Sequence, residues 1–141
     1  MSGTQVEHPV GGQLASAISN GVVRLLRDYT GRGPTRARTY IVGDLVSVVL
    51  EDTLTKGEMS LVGDGETALV LEARHAYQRT MADDLIALVE GLTGRKVRAF
   101  LSDNHIDPDI AIESFVLEPQ TDGAQHETDQ PPSGDGVPLG A

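Results

Sequence analysis

The stretch Val22-Val23-Arg24-Leu25-Leu26, closed by Thr30-Gly31-Arg32, returns as Leu85-Ile86-Ala87-Leu88-Val89, closed by Thr93-Gly94-Arg95, at a constant offset of 63 residues. Leu14, Ile18, Val22, Leu25 and Tyr29 recur at helical spacing ahead of the first junction. Val70, Ala73, Tyr77, Met81, Leu85, Leu88 and Leu92 do so ahead of the second. A glycine directly after such a stripe suits the left-handed position that ends a helix. Each junction should therefore close a helix and release the chain into a strand.

Downstream of each junction the period changes from helical to extended. Residues 37–42 and 45–51 are rich in β-branched side chains, and Gly43-Asp44 between them is a two-residue break of hairpin type. Residues 97–101 and 110–117 read as a second pair of strands, and Val48-Val49-Leu50-Glu51 matches Phe115-Val116-Leu117-Glu118 at an offset of 67. Thr55-Lys56-Gly57-Glu58 has capping-box spacing, which predicts a short linking helix over 58–62. The predicted fold is α+β. Two α-β-β units form a four-stranded, mainly antiparallel sheet with helices on one face. Both duplication and convergence on a common pattern account for the repeat.

The organisation expected is a flexible lead-in over 1–12, one domain over 13–119 and a disordered acidic tail over 120–141. The tail carries Asp122, Glu127, Asp129 and Asp135 without a Lys or Arg, and its Gln, Thr, Gly and Pro content cannot offset chain entropy by burial. The formal charge is −10, yet most of the 11 bases cluster in two segments. An acidic chain of this kind is not a general nucleic-acid binder. There is no Cys, which removes disulfides, thiolate nucleophiles and Cys-ligated metals. Residues 1–10 lack the pattern of a signal peptide, and no apolar run approaches the roughly 20 residues of a membrane span.

Two constellations carry chemistry. Arg32, Arg36, Arg38, Arg95, Lys96 and Arg98 follow the two Thr-Gly-Arg junctions. Were they to converge, their planar forks could hold a phosphate or carboxylate. Their ordinary role would be to neutralise helix C-termini and solvate strand faces. In Leu101-Ser102-Asp103-Asn104-His105-Ile106-Asp107-Pro108-Asp109, the residues Asp103, His105, Asp107 and Asp109 alternate as D-x-H-x-D-x-D. That set could face a metal ion or a partner. The same residues are what an elongated hairpin connection of about eight residues would use, and Pro108 stands where a calcium loop needs glycine. The turn is the preferred reading and no metal site is assigned.

Gly63-Asp64-Gly65-Glu66-Thr67-Ala68 fits a dinucleotide fingerprint in letters but follows no strand. No nucleophile elbow exists, and Ser102 to His105 is a run rather than a triad. His75 reads as a surface histidine. No cofactor is expected.

The words Leu25-Leu26-Arg27-Asp28-Tyr29-Thr30-Gly31-Arg32-Gly33-Pro34-Thr35, Val49-Leu50-Glu51-Asp52-Thr53-Leu54-Thr55-Lys56-Gly57-Glu58, Thr93-Gly94-Arg95-Lys96-Val97 and residues 101–108 together resemble the MpsC-like bacterial family. The resemblance spans about 13–119, nearly all of the expected domain. It implies a small soluble companion of a membrane-potential-generating, cation-translocating system, and it transfers no catalytic residues. The expectation is a non-enzymatic accessory or regulatory protein, cytoplasmic or peripheral to the inner face of the membrane. Its partner would be a protein, such as the cytoplasmic face of a membrane complex, with a homo-oligomer as a further option. The alternative is an anion-binding module for a phosphorylated ligand or RNA at the two Thr-Gly-Arg junctions. A metal-dependent hydrolase on Asp103, His105, Asp107 and Asp109 is the third class.

Overall fold

A computed structural model describes residues 7–120, so all but the first residue of the tail expected over 120–141, and residues 1–6 of the lead-in, lie outside the described residues. The elements run α1 (Gly11–Thr30), β1 (Arg36–Val42), β2 (Leu45–Glu51), α2 (Lys56–Gly63), α3 (Thr67–Thr93), β3 (Val97–His105) and β4 (Ile110–Leu117). This is the expected α+β order. Helix α1 begins at Gly11, so the end of the predicted lead-in is helical.

The strands form one antiparallel sheet in the order β1-β2-β4-β3, which puts the second strand of each hairpin at the centre. Register puts Ser47 opposite Ser114, and their hydroxyls are hydrogen-bonded at 2.8 Å. Alternation along the strands then decides which face is covered. Val46, Val48 and Leu50 of β2 and Ala111, Phe115 and Leu117 of β4 point inward and are buried. They meet Ile18, Val22 and Leu26 of α1 and Met81, Leu85 and Val89 of α3 in one core. Phe115 lies against Phe100, ring centres 5.1 Å apart. Both helices lean on this face only.

Gly21 sets how closely α1 and α3 approach. A Cβ there would sit 2.6 Å from Leu88 Cδ1. Gly31 and Gly94, at φ 82° and 71°, take the left-handed conformation expected of both junctions.

Among the described residues no helix lies over the opposite face of the sheet. Its cross-strand rows follow from the register. One row reads Arg38, Val49, Ile112, Asp103, and the next Tyr40, Ser47, Ser114, Leu101. Val42 (71% exposed), Leu101 (59%) and Tyr40 (50%) are the most open apolar side chains of this face.

Two expectations need correction. Strand β3 continues to His105 rather than ending near residue 101, so the hairpin is closed by the short turn at 106–109 and not by eight residues. Polar alternation in 101–105 marks an edge strand, which needs no apolar inner row at its far end. The stripe of α3 is also rotated. Its buried set is Val70, Arg74, Gln78, Met81, Leu85 and Val89, and Tyr77 is 44% exposed. The first half of α3 lies over polar groups of the sheet and of the linker, so Arg74 and Gln78 face inward.

Candidate functional site

The two Thr-Gly-Arg junctions are built alike. Thr30 donates to the Leu26 carbonyl (2.8 Å) and accepts from the Arg32 amide (3.3 Å). Thr93 donates to Val89 (2.7 Å) and accepts from Arg95 (3.1 Å). Each arginine then reaches a strand end. Arg32 donates to the Asp52 carbonyl (3.1 Å) and pairs with its carboxylate (2.8 Å). Arg95 pairs with Asp44 and donates to the Glu118 carbonyl (2.7 Å).

Asp44 precedes β2 and Asp52 follows it, so the junctions sit at opposite ends of that strand, roughly 20 Å apart. Arg36 and Arg38 belong to edge strand β1, whereas Lys96 and Arg98 flank the start of β3 on the other edge, where the register shifts between Val97 and Ala99. The six bases therefore stand in two groups at diagonal corners of the sheet and do not form one anion site. Four positions apart in sequence is proximity; an intervening sheet is not.

The D-x-H-x-D-x-D run is likewise drawn apart. Asp103 sits on the β3 edge, accepts from the Asn104 amide (2.8 Å) and contacts His75 Nε2 (3.3 Å). The amide and then His75 hold the Asp103 carboxyl below its usual range. His105 Nδ1 lies 2.8 Å from the Pro108 carbonyl and, facing an acceptor, carries the proton. Asp109 turns away to accept from Thr53 Oγ1 (3.1 Å) and the Leu54 amide (2.9 Å). Among the described residues no three His, Asp or Glu side chains gather as a metal site. The reason is the strand: alternate residues of β3 project along one edge and do not converge.

Sequence reasoning passed over the most constrained polar cluster, which lies beneath α3. Arg74 donates to Glu58 (2.9 Å), Thr53 (2.6 Å) and Asn104 (3.1 Å). Glu58 also accepts from the Thr55 amide (2.8 Å), completing the predicted capping box of α2. Asn104 and Gln78 are doubly hydrogen-bonded, amide to amide, at 3.0 and 3.1 Å. Gln78 continues to Glu113 Oε2 at 3.2 Å. Three segments are tied by this chain: the 53–58 linker, α3 and the β3–β4 hairpin.

Glu113 is the unusual member. It is 1% exposed, in the inner row of the sheet between Val48 and Ser102, and its Oε1 has no hydrogen-bond partner among the described residues. Burial raises its pKa to about 7, against the opposing hydrogen bonds of Gln78 and Ser102 and the charge of Arg74. Beside it is a cavity of about 20 Å³ lined by Leu26, Leu50, Arg74, Gln78 and Met81, the size of a single water. The arrangement offers a buried, proton-binding carboxyl. The capping-box letters were the one signal pointing here, since Glu58 serves both the cap and Arg74.

The family model described as "Na+-translocating membrane potential-generating system (MpsC)" matches residues 11–119, from the first residue of α1 to just past β4. The chain belongs to the MpsC family. This MpsC chain is also similar to the uncharacterized protein YbcI of Bacillus subtilis (strain 168). The two are 30% identical over 93 residues, covering 65% of this chain and 75% of YbcI. No solved structure matches it. The MpsC match spans the residues of both junctions, the buried cluster and the whole sheet.

Proposed function

We propose that this MpsC chain is a non-enzymatic accessory or regulatory protein of a membrane system that translocates Na+ and generates membrane potential, acting from the cytoplasmic face. The family match over 11–119 carries the reading. Among the described residues no helix is long and apolar enough to cross a membrane, which agrees with a peripheral rather than an embedded component. The outward-facing apolar side chains Met59, Leu61 and Leu69, on α2 and the first turn of α3, are suited to protein contact. A single anion site shared by both junctions loses support from their separation across the sheet. The matching hydrogen bonds at Thr30 and Thr93 favour reading the two α-β-β units as copies of one unit.

The test is co-purification from detergent-solubilised membranes of cells that also express the neighbouring genes. Recovery of the chain with an integral membrane subunit, weakened by Met59→Lys with Leu69→Lys, is the expected result. Recovery of the chain alone, with the membrane subunits present, would sink the reading.

A further inference from the structure

The uncovered face of the sheet has a pattern that a second copy of this chain would complete. Its two central strands present Leu45, Val49, Ile110, Ile112 and Val116 around the Ser47–Ser114 pair, with Glu51 at the end beside Arg36, and its two edges differ in charge. On β1 the outward residues at one end are Arg36 and Arg38. At the same end of β3 they are Asp103 and His105, because β1 residue 38 and β3 residue 103 share one cross-strand row through Val49 and Ile112. Arg36 and Arg38 form no ion pair among the described residues. Opposite them, Asp103, His105, Ile110 and Ile112 line a depression of about 200 Å³.

A two-fold axis lying between the sheets and parallel to the strands would carry β1 of one copy over β3 of the other, without moving any row along the strand. Arg38 of each copy then meets Asp103 of its partner and enters the depression beside it. Arg36 reaches His105, whose Nε2 is the free acceptor once Nδ1 is committed to the Pro108 carbonyl. Ser47 and Ser114, already hydrogen-bonded to each other, fall near the axis and need nothing from the partner. Tyr40 is laid over Leu101, and both are at least half exposed in the single chain. An axis running across the strands would instead lay β1 on β1, with Arg36 and Arg38 over Val42 and Tyr40 and no carboxylate opposite them.

We infer that the open face of the sheet binds a second copy of this chain, forming an isologous sandwich in which Arg38 and Asp103 pair twice about the axis. Four strands at about 4.8 Å spacing and seven residues at about 3.3 Å give a footprint near 440 Å² per copy. With side-chain relief the two copies together cover on the order of 1,000–1,300 Å², at the lower end of specific interfaces. The charged rim fixes which sheet edge lies over which, and the apolar side chains around the serine pair supply the contact. This pairing stands independently of any membrane partner.

Sedimentation of the purified full chain tests it. The expected mass is twice the 15.0 kDa of one chain at tens of micromolar. Leu101→Lys should yield the single-chain mass with an unchanged circular dichroism spectrum, since its side chain points to solvent in the isolated fold. Arg38→Asp and Asp103→Arg should each raise the dissociation constant at least tenfold, and the two together should restore most of it. A wild-type chain that stays at the single mass would overturn the inference. So would a dimer indifferent to Leu101→Lys, or charge swaps that do not rescue each other. If the purified chain is single while Leu101→Lys abolishes recovery with a membrane subunit, the face belongs to that subunit. The pairing then fails and the accessory role survives.

Discussion

Replacing Glu113 by Gln should make the chain more stable at pH 8 while changing little at pH 4.5. The carboxyl is buried in the inner row of the sheet, and its pKa stands at about 7 against an ordinary 4.5. A folded-state pKa above the unfolded one means that the native protein holds a proton that the unfolded chain releases between those values. Its contribution to stability is therefore whole below about 4.5 and is lost as pH rises through about 7. At 1.36 kcal/mol per pH unit the loss comes to about 3 kcal/mol, a few hundredfold in the folding constant. The glutamine stays neutral and keeps a carbonyl to accept the Gln78 bond. Urea midpoints for wild type and Glu113→Gln between pH 4.5 and 8.5 give the measurement, and the difference between the curves cancels groups common to both. The wild-type curve should fall relative to the variant, most steeply between pH 5 and 7. Parallel curves, or a variant less stable at pH 8, would refute the idea that a core carboxylate is ionised at a cost.

Arg74→Met should destabilise by about 3–5 kcal/mol, because it leaves Glu58 charged without its partner and removes one hydrogen bond each from Thr53 and Asn104 in a buried setting. The same change removes the positive charge that holds Glu113 down, so the pH midpoint of its stability curve should move upward from about 7. Thr55→Ala, which deletes the side-chain cap of α2, should cost about 1 kcal/mol in urea denaturation. Gly21→Val should cost about 1–3 kcal/mol by pressing on Leu88, and Leu88→Ala in the same chain should recover part of it.

Much of the fold was legible because it rests on local rules. The Thr-Gly-Arg junctions end helices through one left-handed glycine and one hydroxyl each. Strands β2 and β4 have the predicted bounds because β-branched side chains run through both, and Gly43-Asp44 before β2 and Pro108 and Pro119 around β4 mark their ends locally. The capping box was legible for the same reason: donor and acceptor are three residues apart. Where the reading failed, the deciding partners were remote. Arg74 and Gln78 look like surface residues by composition, yet they turn inward to meet Asn104 and Glu113, 26 to 35 residues away. The extra length of β3 was hidden because an edge strand can be polar on both faces.

The amino-acid order alone thus determined the elements, their sequence of helix and hairpin, and the family to which the wording points. Tertiary structure alone decided where the charges lie relative to one another. Strand order β1-β2-β4-β3 carries the two basic segments to opposite corners and so dissolves the anion site their spacing suggested. The same order sets Arg38 and Asp103 at the two ends of one row, 65 residues apart in the chain, and leaves Glu113 at the centre of the core. Local propensity acts over a few residues and fixes backbone shape. Burial and electrostatics act across space, and only the register of the sheet specifies that space.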